Sequence, residues 1–140
     1  MSPALRLWLA RLLIAVVFFF NLQCAILFLA WPSSYAPSLE MTGTVGEGML
    51  RGMGVLFLMW NVPYAFALYH PLRQRVSLLQ AVIMQAIGVL GESLILAGLP
   101  AGYPQLSASI VRFILFDAGG LLLLLAALLL ARKAPMRPTT

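Results

Sequence analysis

The feature that most limits what this chain can become is the apolar stretch 77–99. It has the length of a membrane crossing, yet it carries one carboxylate, Glu92, well inside it. A helix rises about 1.5 Å per residue, so roughly 20 apolar residues cross a hydrocarbon core. A charged side chain at that depth costs about 2.5–3.5 kcal/mol on insertion scales unless it faces protein, water or a partner charge. The stretch therefore calls for lipid on one side and a polar neighbour on the other.

Three further runs of similar length, 7–31, 46–69 and 105–131, complete a set of four. Hydrophobic residues make up 62% of the chain and charged residues 9%, well below the quarter or so usual in soluble domains. A small soluble domain is mostly surface and has nowhere to hide such a composition. The sequence reads as one integral membrane domain over 1–140, all-α, with a disordered tail over about 134–140. The first run is too long for a signal-peptide core, and no small-residue cleavage site precedes a polar domain, so it reads as a retained helix.

The net charge of +5 does not point to nucleic acid. Arg6, Arg11, Arg73, Arg75, Arg132, Lys133 and Arg137 flank the apolar runs, and no basic stripe with interleaved aromatics exists. Both ends and the 70–75 turn carry Lys or Arg, while 32–45 and 100–104 carry none. Positive residues concentrate on the cytoplasmic side, so both termini and the 70–75 turn are expected there. Short connections between successive spans give an up-down-up-down four-helix bundle.

This topology converts position into depth. Counting helix rise from the outer ends, Arg51 lies roughly 8 Å in, Glu92 and Arg112 roughly 10 Å, and Asp117 roughly 18 Å. Asn21 and Gln23 fall at about 12–15 Å, and Glu47 stands one turn above Arg51. Asn61 and Gln85 share a depth near the middle. Gln85, Gly88 and Glu92, at i, i+3 and i+7, form one stripe. Glu47 and Arg51 can pair at i, i+4. Arg112 is expected to meet Glu92, and Asp117 to meet Arg51, Asn21 or Gln23. Pro63 removes the donor that Met59 would use, and Asn61 is placed to serve the freed carbonyl. The nine residues Glu92, Arg112, Arg51, Asp117, Glu47, Asn21, Gln23, Gln85 and Asn61 are the candidates for a polar pocket or an ion-pair network.

The other chemistry-bearing residues read more plainly. His70 is the single histidine and reads as an interfacial residue beside Pro71. Cys24, the lone cysteine, excludes an intramolecular disulfide and reads as packing. Trp31, Trp60, Tyr64 and Tyr69 read as belt or packing aromatics, and Met49, Met53 and Met59 as packing. There is no metal-ligand spacing and no nucleotide-binding or hydrolase motif, so no cofactor is assigned. Gly48 and Gly52, followed by Gly54, form a small-xxx-small face.

The four-span layout, the proline-containing first outer loop with Gly43 and Gly46, the Leu50-Arg51-Gly52-Met53-Gly54 opening of the second span and the short basic turn together resemble the DoxX-like group of small bacterial four-helix membrane proteins. That resemblance implies a multi-pass protein of the bacterial cytoplasmic (inner) membrane and, through founding members, a link to quinone-dependent sulfur oxidation. It supplies no catalytic residue. Lack of a cysteine pair removes a thiol-disulfide mechanism of the vitamin K reductase type. Three readings follow. One is a non-catalytic accessory protein or subunit of a membrane complex, in contact with lipid, a membrane-protein partner or further copies of itself. The second is a binder or enzyme for a lipophilic substrate such as a quinone or lipid. The third is a small-solute or proton carrier.

Overall fold

The computed structural model describes residues 2–132, all of them in helices or short connections with no strand. Helix α1 spans Pro3–Ala30, α2 Pro32–Tyr35, α3 Gly43–Tyr69, α4 Arg75–Gly98 and α5 Pro104–Arg132. Four of these five, all but α2, are long and apolar enough to cross a membrane. Their outward faces agree with that: Trp8, Phe19, Leu90, Leu94 and Leu122 are exposed. A water-soluble monomer seldom leaves so much apolar surface uncovered. The expected tail at 134–140 lies outside the described residues.

Local chemistry sets the helix ends. Ser2 caps α1, its hydroxyl accepting the Leu5 amide at 3.3 Å, and Pro3 occupies a first-turn position where no donor is missed. Trp31 leaves helical backbone because a residue before proline disfavours the helical region. The segment 32–45, expected as a loop, is more ordered than that. Pro32 opens α2 and a 3-10 turn at Ala36–Leu39 follows, with Glu40 closing it in left-handed backbone at φ 55°. Each proline sits early in its turn, where fixed φ favours helix and the absent N–H costs nothing. This strap is anchored by Ala36 and Leu39, both buried with Phe28 of α1 and Leu50 of α3.

Helix α1 packs on α3 and α5, and α4 packs on α5 and α3. At one end Arg11 donates from Nη2 to the carbonyl of Tyr69 at 2.8 Å. A cation thereby satisfies one of the last, otherwise unpaired carbonyls of α3. The α1–α3 crossing is close at Gly54, where an added Cβ would stand 3.0 Å from the carbonyl oxygen of Ala25. Small residues permit such approaches between membrane helices.

The interior has two parts. The first joins all four long helices through residues that include Ile14, Val17, Tyr64, Ala67, Leu78, Ala81, Leu124 and Ala127. The second, around Phe28, Leu39 and Leu50, draws on α1, the strap, α3 and α5 but includes no residue of α4. The buried residues of α4 (Leu78, Ala81, Val82 and Gln85) all lie in its first half.

Candidate functional site

Between the two parts runs a chain of polar side chains. Tyr64 of α3, 2% exposed, donates its hydroxyl proton to Gln85 Oε1 of α4 at 2.5 Å and stands 3.3 Å from the Ala81 carbonyl. Gln85 Nε2 in turn donates to Asp117 Oδ1 of α5 at 2.8 Å. Asn21 of α1 is likewise buried. Helices α3, α4 and α5 each contribute one polar group to a connected chain. An amide at position 85 suits this place because it accepts at one end and donates at the other.

Two glycines make the chain possible. A Cβ at Gly88 would lie 1.9 Å from Asp117 Oδ2, and one at Gly120 would lie 2.6 Å from Gln85 Nε2. Each polar side chain thus rests on bare backbone of the opposite helix. No larger residue fits at either position without displacing it.

The expected pairings are corrected in several respects. Arg112 does not meet Glu92. Its Nη2 donates to Ser109 Oγ at 2.8 Å, and Ser109 Oγ donates to the Ser38 carbonyl at 2.5 Å. Ser109 therefore fastens the strap to α5, with Arg112 donating to the same hydroxyl. Asp117 bonds Gln85, an amide, rather than Arg51, Asn21 or Gln23. Arg51 has Glu47 as its ion-pair partner, at 3.8 Å along α3, with 52% of its side chain exposed. Gln23 lies exposed on α1. Asn61, 4% exposed, leaves both side-chain polar atoms without a hydrogen bond, so it does not serve the Met59 carbonyl as expected. Glu92 Oε2 is closed off from solvent with no partner.

Tyr64, Gly88, Gly120 and Ser109 belong to the polar interior although none was among the candidates. Gly88 shared a stripe with Gln85, which was the available signal; Tyr64 read as one more interfacial aromatic. Ser109 and Ser38 lie 71 positions apart, and nothing local links them.

The fastening gives a direct test. Ser109→Ala removes both the acceptor for Arg112 and the donor to Ser38, a loss of about 1–2 kcal/mol confined to the strap. Hydrogen exchange should rise at 36–41 while the amides around Gln85 keep their protection. Uniform loss of protection would contradict a local role.

Among the described residues no group of three or more His, Cys, Asp or Glu could hold a metal ion. A shallow hollow of about 310 Å³ sits at the α4–α5 turn between Leu96, Leu99, Pro100 and Tyr103, away from the polar chain. Comparison with family models, curated proteins and solved structures gives no match to this chain.

Proposed function

We propose that this chain is a small polytopic membrane protein of the accessory kind, a non-catalytic subunit of a larger membrane assembly. In this reading the four long helices form an up-down-up-down bundle in a bacterial inner membrane. Both termini and the 70–75 turn face the cytoplasm, where the Lys and Arg residues gather. The observation that carries the reading is the closure of the polar chain. Gln85 is satisfied at both ends by Tyr64 and Asp117, and Gly88 and Gly120 shape the space around those same side chains.

Ionisable groups at membrane depth are functional candidates by default, and a site for turnover keeps donors or acceptors free for its substrate. Here Tyr64, Gln85 and Asp117 bond one another, as a register-fixing network requires, while Asn61 and Glu92 Oε2 keep buried polar atoms without a hydrogen bond. The quinone reading implied by the DoxX-like resemblance needs Glu92, Arg112, Arg51 and Asp117 around one cavity. Arg112 is instead committed to Ser109, and Arg51 to Glu47.

Native mass spectrometry of the protein extracted gently from its own membrane tests the proposal. A complex of defined composition containing a second kind of subunit is the expected result. A stoichiometric lipophilic adduct that disappears on Glu92→Gln would overturn it in favour of a binding pocket. The chain alone, as monomer or homo-oligomer, would also count against an accessory role.

A further inference from the structure

Asn61 is the one side chain among the described residues that the packing buries and leaves unmet at both ends. It is 4% exposed, and neither Nδ2 nor Oδ1 has a hydrogen-bond partner among the described residues. A carboxamide offers two donors and an acceptor, and buried groups of that kind pair in folded proteins with protein atoms or with ordered water. Inside a membrane the need is greater, because no bulk solvent can take up the slack.

What stands one turn to either side on α3 fixes where Asn61 lies. Toward the strap, Phe57 stacks on Phe113 of α5 with ring centroids 6.4 Å apart and meets Phe28 of α1 edge-on at 5.9 Å. On the other side, Tyr64 bonds Gln85, which bonds Asp117. Residues three and four apart share a helix face, so Asn61 lies between an aromatic layer and the polar chain. Phe113 and Asp117 repeat the same two layers one turn apart on α5. Helix α4 supplies Gly88, one turn from Gln85 and without a side chain, and Asp117 Oδ2 reaches over it. On α1, Asn21 is 8% exposed and lies one turn from Val17, which flanks Gly120 as Gln85 does.

We infer that the layer between the Phe57–Phe113 stack and the Tyr64–Gln85–Asp117 chain is a binding site for water, anchored by the Asn61 carboxamide. One water can accept from Nδ2 and donate to Oδ1 of the same carboxamide. Buried waters make about three hydrogen bonds and lodge beside polar groups that the chain leaves unmet. Both ends of Asn61 are closed off from the surface, so the water takes its room from a neighbour. Phe57 can yield it, being held by ring contacts to Phe28, Trp60 and Phe113 alone. Stripping both ends of the carboxamide costs more than ordering one water, which decides between a dry layer and a wet one. An apolar guest leaves both ends unmet, a bare cation satisfies the acceptor end only, and an anion would meet the Asp117 carboxyl. Water is the guest that this layer selects. The inference stands apart from the accessory role, since a hydrated interior serves a lone chain and a subunit alike.

The test uses the isotope-labelled full chain in lipid bilayers and solid-state NMR that follows magnetisation from water protons into the protein. The sequence has two asparagines, Asn21 and Asn61, so asparagine-selective labelling leaves two carboxamide signals. Asn61→Leu, which keeps the branched shape, identifies the Asn61 signal by its loss. If that variant fails to fold, Asn21→Leu makes the same assignment from the other side. Transfer from water to the Asn61 carboxamide should build up several-fold faster than to the backbone amides of Ile14 and Leu50, both fully buried in the apolar clusters. Transfer as slow as at Ile14 and Leu50 would overturn the inference. So would a dipolar contact that sets Asn61 Nδ2 within bonding distance of a protein oxygen while no transfer from water reaches it, because the carboxamide would then be met by the protein itself.

Discussion

Gly88→Ala should destabilise this protein out of proportion to the single methyl group it adds. The new Cβ would fall 1.9 Å from Asp117 Oδ2 and 2.9 Å from its Cγ, so the carboxyl must leave its place. Overpacking of this kind costs about 1–3 kcal/mol. Displacing Asp117 also breaks its hydrogen bond from Gln85, worth about 1.5–3 kcal/mol when one partner is charged. A total loss of about 3–5 kcal/mol is expected. Cys24, half-buried and the only cysteine, reports the unfolding through its thiol reactivity. The sign should reverse once the carboxyl is gone. In an Asp117→Ala background, Gly88→Ala meets no obstacle and gains the helix preference of alanine, up to about 1 kcal/mol. A Gly88→Ala variant as stable as wild type would mean that Asp117 does not rest on α4.

The second large effect is expected at Gln85. Gln85→Met keeps the length and unbranched shape of the side chain, so the packing against Gly120 survives. What is lost is an acceptor for Tyr64 and a donor for Asp117, both inside the protein. Leaving a buried polar group unsatisfied costs about 1–3 kcal/mol, and more for a charged one. Tyr64 retains the Ala81 carbonyl, so most of the penalty falls on Asp117. A loss of about 2–4 kcal/mol in unfolding free energy is expected. Tyr64→Phe should cost only about 1 kcal/mol. Equal losses for the two variants would place the centre of the network at Tyr64 instead.

The helical skeleton was legible because apolar length is a coarse, additive signal. Four long runs became four membrane-length helices, with ends that moved by a few residues where Ser2, Pro104 and similar caps extended them. The strap was harder to see. Its prolines and serines suit loops and short helical turns alike, and its order comes from Ala36 and Leu39 meeting Phe28 and Leu50, contacts that no local pattern encodes.

At the candidate site, level along the helices is readable from the sequence and partnership is not. Helix rise sets Gln85 and Asp117 at similar levels of neighbouring helices, and the two side chains bond. The pairing of Arg112 with Glu92 followed charge alone. Opposite charge fixes no rotation about the helix axis, and Ser109, one turn before Arg112 on the same helix, captures the guanidinium. Gly88 and Gly120 carry the missing information. A glycine facing a polar side chain across an interface is as specific as the charge itself, and it becomes visible only once the helices are packed.

The central claim is that Gln85 and Asp117 act as one structural unit joining α4 to α5. A double-mutant cycle measures that unit directly, with Gln85→Met, Asp117→Ala and their combination compared by unfolding free energy in a bilayer-like medium. Each single change should leave one buried polar group stranded, and the double change should remove both. The combined loss is therefore expected to fall short of the sum by about 1–3 kcal/mol. Losses that simply add, or single variants as stable as wild type, would show that the two residues do not depend on one another, and the account of the polar chain as the lock of the fold would be contradicted.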